Sequence, residues 1–491
     1  MVTITRSDIE IRPDPARVVA RPFLPGEATF AGGPSRVELI ANRVLALDEP
    51  EAQAVLDRTR SAFAGRHRDL DAIWAQNAQI AESQVPSLAG VDGGRRDLLG
   101  AYFTQEYTPE AAAVCNPSIV PFPGVHGEDG FIMSLRAIGE GHISSVEFRT
   151  GRVEEGAVSI DPPGELLSLG ERRSSKHDKS VFQHKLTAIG ADAALVEMVM
   201  SRLADPFSNE DLDAALERLD RGDMSAAASF ETKKLAHWLA SSNYELAYPE
   251  SIPVSERILL PSSPAESQGI EDARFTRFVR DDGSVTYYAT YTAFDGFTIL
   301  PQLIETQDFL TFRFVTLNGV CARNKGMALF PRKVDGLYAA LGRHDQENLH
   351  LLRSDRLEVW NHAEMISSPE RGWESIQIGA CGSPMETDDG WLVITHGVGP
   401  MRQYSLGALL LDLEDPSQIV GRLETPLLEP DADERDGYVP NVVYSCGSMI
   451  HEGRLIVPYG YADQGVRVMS VAVDELMAAM TRRPQGARAS S

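Results

Sequence analysis

The chain is short of positive charge, of paired cysteines and of long apolar runs, and each shortage removes a class of function. Lys and Arg number 46 against 71 Asp and Glu, a formal net charge of -25. That surplus of carboxylate repels nucleic acid and anionic membrane surfaces, while leaving room for a local basic pocket that takes one small anion. No stretch approaches the roughly eighteen uninterrupted apolar residues of a membrane span, and residues 1–13 alternate charged with β-branched side chains instead of forming the apolar heart of a secretion signal. Cys115, Cys321, Cys381 and Cys446 stand far apart, with no Cys-x-x-Cys pair and no histidine at ligand spacing. Reduced, mostly buried thiols are expected, with no disulfide and no metal, in a cytoplasmic protein.

What is present exceeds one ordinary core: 491 residues, 43% hydrophobic and 24% charged. Residues 1–108 open with short β-like runs, 37–47 among them. From Glu49 the apolar residues Ala54, Val55, Leu56, Ala62, Phe63, Leu70, Ile73 and Trp74 recur every three or four positions, which predicts an amphipathic helical hairpin. Residues 111–150 read as strands. Helical spacing returns after about residue 175, through Leu195, Met198, Val199, Leu212, Leu216, Leu235 and Leu239.

Beyond Asn243 a unit recurs: a turn bearing glycine, a strand, then a polar residue at the strand end. Asp281-Asp282-Gly283 leads into 285–291, Asp335-Gly336 into 337–341, Asp388-Asp389-Gly390 into 391–396 and Glu452-Gly453 into 454–459; the glycines stand 53, 54 and 63 residues apart. Glu128-Asp129-Gly130 into 131–135 is an earlier copy. A period near fifty with several short strands per unit is the pattern of propeller blades. The predicted fold is mainly β: a five-bladed β-propeller with an N-terminal α/β extension (1–108), a first blade (109–172), a helical insertion (173–240), blades two to five (241–480) and a disordered tail (481–491). Arg136, Thr290, Tyr291, Arg343, His344, His396, Tyr461 and Asp463 follow the repeated strands. Any one alone reads as an ordinary surface group, but their recurrence argues for a shared site.

The stretch Gln268-Gly269-Ile270-Glu271-Asp272-Ala273-Arg274 sets two adjacent carboxylates and an arginine before a β run. Neighbouring residues on a strand face opposite ways, so Glu271 and Asp272 reach one pocket together only if the chain is bent there. On a straight strand one would do chemistry and the other support it, or both would face water in a surface turn.

That heptapeptide, with Ala322-Arg323-Asn324-Lys325-Gly326-Met327, Thr395-His396-Gly397-Val398, Tyr404-Ser405-Leu406-Gly407, Leu410-Leu411-Asp412-Leu413 and Tyr459-Gly460-Tyr461-Ala462-Asp463, resembles glycoside hydrolase family 130 over about 112–150 and 243–480. The resemblance implies a β-mannoside phosphorylase or a β-1,2-mannosidase on a five-bladed propeller. It implies Asp272 as general acid, reaching the glycosidic oxygen through a sugar hydroxyl; Arg323, Asn324, Arg343, His396 and Tyr404 as phosphate-binding; and Asn116, Ser118, Arg274, Asp308, Lys325 and Asp463 as sugar-binding. A desolvated carboxyl can keep a proton for a leaving alkoxide, and arginine forks suit phosphate oxygens. Gln377 stands where the phosphorylases carry a lysine, which weakens the case for phosphate.

The expected reaction is inverting phosphorolysis of a β-mannoside to α-mannose 1-phosphate, with inorganic phosphate as co-substrate and no cofactor. The alternatives are an inverting β-mannosidase, with Asp463, Glu434 or Asp345 as water-activating carboxylate, and a non-catalytic sugar-binding propeller. Expected partners are a β-mannoside oligosaccharide and phosphate, with neither nucleic acid nor membrane; a homo-oligomer stays open.

Overall fold

The computed structural model describes residues 2–25, 34–218, 226–297 and 299–482. The chain divides into two compact units: Met1–Pro13, Ala112–Pro163 and Leu169–Ser491 form one, and Asp14–Ala111 with Gly164–Ser168 the other.

The larger unit is mainly β, built from sets of antiparallel strands that pair with their sequence neighbours. Ala113–Pro121, Gly130–Ile138, Ser144–Glu154 and Ala157–Ile160 form the first set. Gly269–Val279, Val285–Phe294, Ile299–Thr306 and Thr311–Thr316 form the second. Ala328–Leu329, Tyr338–Gly342, Leu349–Ser354 and His362–Ser367 follow, then Gln377–Ala380, Gly390–Val398, Tyr404–Leu411 and Ile419–Arg422. Val443–Tyr444, Arg454–Tyr461 and Gly465–Ala472 begin the last set. Its outer place is filled by Thr5–Ile11, with Thr5 opposite Ser470, so this strand joins the last set although the sequence pattern assigns it to the N-terminal extension. In every set the strand marked by the glycine-led repeat is the second.

Phe309 packs at ring-centroid distances of 5.2, 5.8, 5.7 and 6.0 Å from Phe122, Phe148, Phe275 and Phe312. Three of these pairs are edge-on and the Phe275 pair is stacked; aromatic pairs of both kinds add about 1 kcal/mol each beyond area burial. Phe275 faces this core, so its neighbour Arg274 turns to the opposite face of the strand.

The helices Lys179–Ala188, Ala193–Met200, Asn209–Leu216 and Ala226–Ser241 share an apolar cluster that includes Phe182, Leu186, Leu195, Val199, Leu212, Leu216 and Leu239. Asp178, Asp192 and Ser208 cap the first three, each satisfying backbone N–H groups that a helix start leaves free. Thr481–Arg482, the first two residues of the expected disordered tail, pair with Ile419–Arg422; residues 483–491 lie outside the described residues.

In the smaller unit the expected β run at 37–47 is instead the helix Arg36–Leu45. Val37, Ala41 and Val44 are buried on one face at helical spacing, and Ser35 caps the start by accepting from Glu38 N; cap and period together outweigh the β-branched composition. The hairpin is present as Glu49–Phe63 and Leu70–Gln84, buried along Ala52, Leu56, Leu70, Trp74, Ala78 and Ala81, while Ala54, Ala62 and Phe63 face outward.

Candidate active site

Two strand bulges build the centre of the site. Along Gly269–Val279 the register runs Glu271 opposite Thr292 and resumes with Arg274 opposite Thr290, so Asp272 and Ala273 together oppose Tyr291. Asp272 takes the left-handed conformation, φ 56°. Along Ala113–Pro121 the register skips from Cys115 opposite Arg136 to Ser118 opposite Ser134, and Asn116 has φ 48°. A bulge re-aims the side chain it carries, and Asn and Asp tolerate left-handed backbone better than most residues. The chain is therefore bent at the acidic pair, and both carboxylates reach one cation: Arg136 donates to Glu271 Oε1 at 2.6 Å and to Asp272 Oδ1 at 3.1 Å.

The cluster is dense. Asn116 Nδ2 donates to Asp272 Oδ1 at 2.5 Å, Lys325 Nζ pairs with Glu271 Oε2, and Arg136 Nε donates to Ser144 Oγ at 2.9 Å. Gly269 has φ 139°, and a Cβ there would stand 2.8 Å from Ser144 N, so only glycine lets the two strands approach. Asp272 is 8% exposed. Burial pushes its carboxyl up, but Arg136, Arg274, Lys325 and the Asn116 hydrogen bond outweigh burial and hold it well below the ordinary carboxylate range. Asp272 is thus ionised.

Asp463, with φ 47°, is the opposite case. Burial, reinforced by Asp272 and Glu271, raises its carboxyl to about 6 against the pull of Arg136 and Arg402.

A second group adjoins Arg274, which is fully buried and donates to Asp272 O at 3.0 Å, Cys381 O at 3.1 Å and Tyr444 Oη at 2.8 Å. The Tyr444 ring lies 4.9 Å from His396, and Tyr404 stacks on His396 at 6.2 Å. His396 is 1% exposed, and neither ring nitrogen has a hydrogen-bond partner among the described residues. Burial, with Arg343 and Arg274 nearby, drives its pKa well below the ordinary value, so the imidazole is neutral with one donor and one acceptor unused. Arg343 Nε is likewise unpartnered, while its Nη1 donates to Gln346 O at 2.9 Å.

Most residues expected from the sequence are brought into this neighbourhood, in differing capacities. Arg323 is exposed, Asn324 has φ 60° and donates to His344 O, and Lys325 holds Glu271. Ser118 is fully buried with its hydroxyl accepting from Phe275 N at 3.0 Å, so it pins the bulged strands together, while Arg274 ties its strand to Cys381 and Tyr444. Asp308 stands apart. Gly269 pairs with Phe294, which pairs with Ile299, whereas Asp308 follows Thr306 at the other end of these strands; there it accepts from Leu310 N and Thr311 N in an exposed turn. Glu434 is consumed by Tyr459, Arg467 and the backbone of Asp431, and Asp345 by the N–H groups of Glu347 and Asn348. Thr290 and Tyr291 spend their hydroxyls on Met327 O and Glu266.

Arg136 is one of the strand-end residues whose recurrence argues for a shared site; Ser144, on the neighbouring strand of the same hairpin, and Tyr444, from the last strand set, carry no local signal. Among the described residues no group of three His, Cys, Asp or Glu side chains could hold a metal ion, and no helix is long and apolar enough to cross a membrane. All four cysteines are free.

These features stand beside clear relatives. The family model for β-1,4-mannooligosaccharide phosphorylase matches residues 248–482. A 1,2-β-oligomannan phosphorylase of Thermoanaerobacter sp. is 37% identical over 220 residues, spanning 43% of this chain and 70% of that protein. A β-1,2-mannobiose phosphorylase of Listeria innocua is 30% identical over 231 residues, 45% of this chain and 62% of that one. The solved β-1,2-mannobiose complex of a Listeria innocua phosphorylase superposes with a TM-score of 0.44 at 22% identity, over 75% of this chain and 92% of that one. The chain belongs to glycoside hydrolase family 130.

Proposed function

We propose that this chain cleaves a β-mannosidic bond by inverting phosphorolysis, releasing α-mannose 1-phosphate. The observation that carries the reading is the buried imidazole of His396 beside Arg343, whose Nε, like both ring nitrogens, has no hydrogen-bond partner among the described residues: donors left without an acceptor suit a bound anion. The names of the relatives, all β-mannoside phosphorylases, support it. Arg323, Arg343, Asn324, His396 and Tyr404 would hold phosphate. Asn116, whose Oδ1 is unpartnered, would meet sugar hydroxyls with Lys325 and Asp463, while Ser118 and Arg274 shape the wall.

In this mechanism a phosphate oxygen bonds to the anomeric carbon as the glycosidic bond breaks, and Asp272 supplies the proton that the departing oxygen takes up, relayed by a sugar hydroxyl. Arg136, Arg274 and Lys325 favour the ionised form of Asp272; an incoming phosphate dianion offsets these cations and raises its proton affinity, so the carboxyl takes up a proton from solvent as phosphate binds and passes it to the departing oxygen. No metal or organic cofactor enters the scheme.

For the architecture, the five antiparallel sets read as five propeller blades, 109–172 and 241–480, with Thr5–Ile11 completing the last and the helices of 173–240 interrupting the ring. The scattered free thiols suit a reducing cytoplasm.

A hydrolytic reading is favoured by one observation: Asp463 has no hydrogen-bond partner among the described residues and titrates near 6, as a base that activates water should. Incubation with β-1,2-mannobiose, β-1,4-mannobiose and mannosyl-glucose, with and without phosphate, separates the two. Phosphorolysis gives mannose 1-phosphate only when phosphate is present. Free mannose at an unchanged rate without phosphate overturns the proposal in favour of hydrolysis, and sugar binding without cleavage in either buffer identifies a non-catalytic binder.

A further inference from the structure

Between the helix Lys179–Ala188 and the strand Thr311–Thr316 lies a small cleft, about 70 Å³ in volume and open to solvent. None of its lining belongs to the candidate active site. In a chain with a net charge of -25, it gathers Lys176, Lys185, Arg313 and Arg356 against only Asp178 and Glu358.

Three buried groups in this lining lack the partner their chemistry requires. Lys185 is 8% exposed, and its ammonium has one hydrogen-bond partner among the described residues, the carbonyl of Leu317 at 2.7 Å. No carboxylate lies within ion-pair distance of it among the described residues. Burial lowers its pKa to about 8, so at neutral pH it is still mostly charged, and a buried charge without a counter-ion is costly. Ser175 and Asn318 are both more than nine-tenths buried, yet Ser175 Oγ and Asn318 Oδ1 have no hydrogen-bond partner. Asn318 Nδ2 donates to Thr316 O at 3.3 Å, so the free end of this amide is its acceptor.

We infer that this cleft is a second ligand site, for a small hydroxylated phosphate monoester of the sugar-phosphate class. The phosphate dianion supplies the counter-charge that Lys185 lacks and accepts from Ser175 Oγ. A ligand hydroxyl donates to Asn318 Oδ1, which bare phosphate serves poorly, and Phe182 with Leu239 lines an apolar wall for the C–H face of a sugar ring. The site is held open: Asn318 N donates to Glu358 O and Trp360 N to Asn318 O, each at 2.8 Å. At Gly319, φ 98°, a Cβ would stand 2.2 Å from Trp360 O, which fixes this close approach. The inference is independent of the reaction proposed above.

Titration calorimetry of the intact chain with mannose 6-phosphate, and with inorganic phosphate for comparison, tests it. Saturable binding of the ester is expected, weakened about tenfold or more by Lys185→Met and by the surface variant Arg356→Glu and unchanged in His396→Ala; β-mannoside cleavage in the two cleft variants should match the parent. The heat that Lys185→Met removes should be larger for the ester than for inorganic phosphate. The inference is overturned by no saturable binding at millimolar ester, by ester affinity indifferent to Arg356→Glu and Lys185→Met, by affinity lost in His396→Ala instead, or by inorganic phosphate binding the cleft as tightly as the ester.

Discussion

Asn116 and Asp272 are joined by a 2.5 Å hydrogen bond, and each stands in left-handed backbone at the bulge of its own strand. The Asp272 carboxylate is therefore aimed by two matched distortions, one in each of the first two strand sets. Asn116→Ala removes the donor and puts a residue that disfavours left-handed backbone, by about 1–2 kcal/mol, at the bulge. Turnover should fall at least about tenfold, since misplaced catalytic groups cost that much or more. Loss of a donor to the ionised form raises the Asp272 pKa, so the limb of the pH–rate profile set by Asp272 should move to higher pH. An unmoved profile would detach Asn116 from the acid.

Asp272→Asn should keep sugar affinity and lose about 100- to 10,000-fold in turnover on an unactivated disaccharide, the range of general acid catalysis. Substrate affinity by calorimetry and turnover by product assay separate these effects. Near-parental turnover would remove Asp272 from the mechanism.

A Cβ on Gly379 would stand 2.6 Å from His396 Cε1 and 3.5 Å from Arg343 Cδ. Gly379→Ala should push the buried imidazole aside and raise the KM for phosphate several-fold more than the KM for the mannoside. Equal changes in both would place His396 and Arg343 outside the phosphate site.

The raised pKa of Asp463 has a stability consequence of definite sign. Between its unfolded value near 3.8 and its folded value of about 6, the folded state holds the proton more tightly, so this residue's contribution to stability declines as pH rises through that window and is lowest above it. Asp463→Asn should raise the Tm at pH 7.5 and change it little at pH 4. Scanning calorimetry at both values checks this; an equal shift at the two would assign the effect to packing.

The sequence carried the repeated strands because their turns must hold glycine at positive φ, as Gly283, Gly336, Gly390 and Gly453 do, and turn chemistry is local. It carried Asp272 and His396 because their motifs are contiguous. It did not carry the bend at Asp272, since a bulge depends on the register of two strands rather than on one. Nor did it carry Ser144, which meets Arg136 across a hairpin whose register no local motif specifies, or Tyr444, brought to Arg274 from 170 residues away. Residues 37–47 misled because β-branched composition favours strands, while the deciding signals, the Ser35 cap and the Val37, Ala41, Val44 spacing, are helical.

The pairing of Thr5–Ile11 with Gly465–Ala472 sets a schedule for biosynthesis. Translation delivers the first strand on the order of a minute before its partner, at about 5–20 residues per second. During that interval the nascent strand is an unpaired edge, the kind of surface that draws in other chains. Its alternate residues Arg6, Asp8 and Glu10 put charge on one side of it, which keeps such an edge from sticking. Once the partner emerges, two of those charges find permanent places, Arg6 with Asp431 and Glu434, and Glu10 with Tyr461 and Arg467. The same side chains that guard the waiting strand on the ribosome fasten it at the end of synthesis.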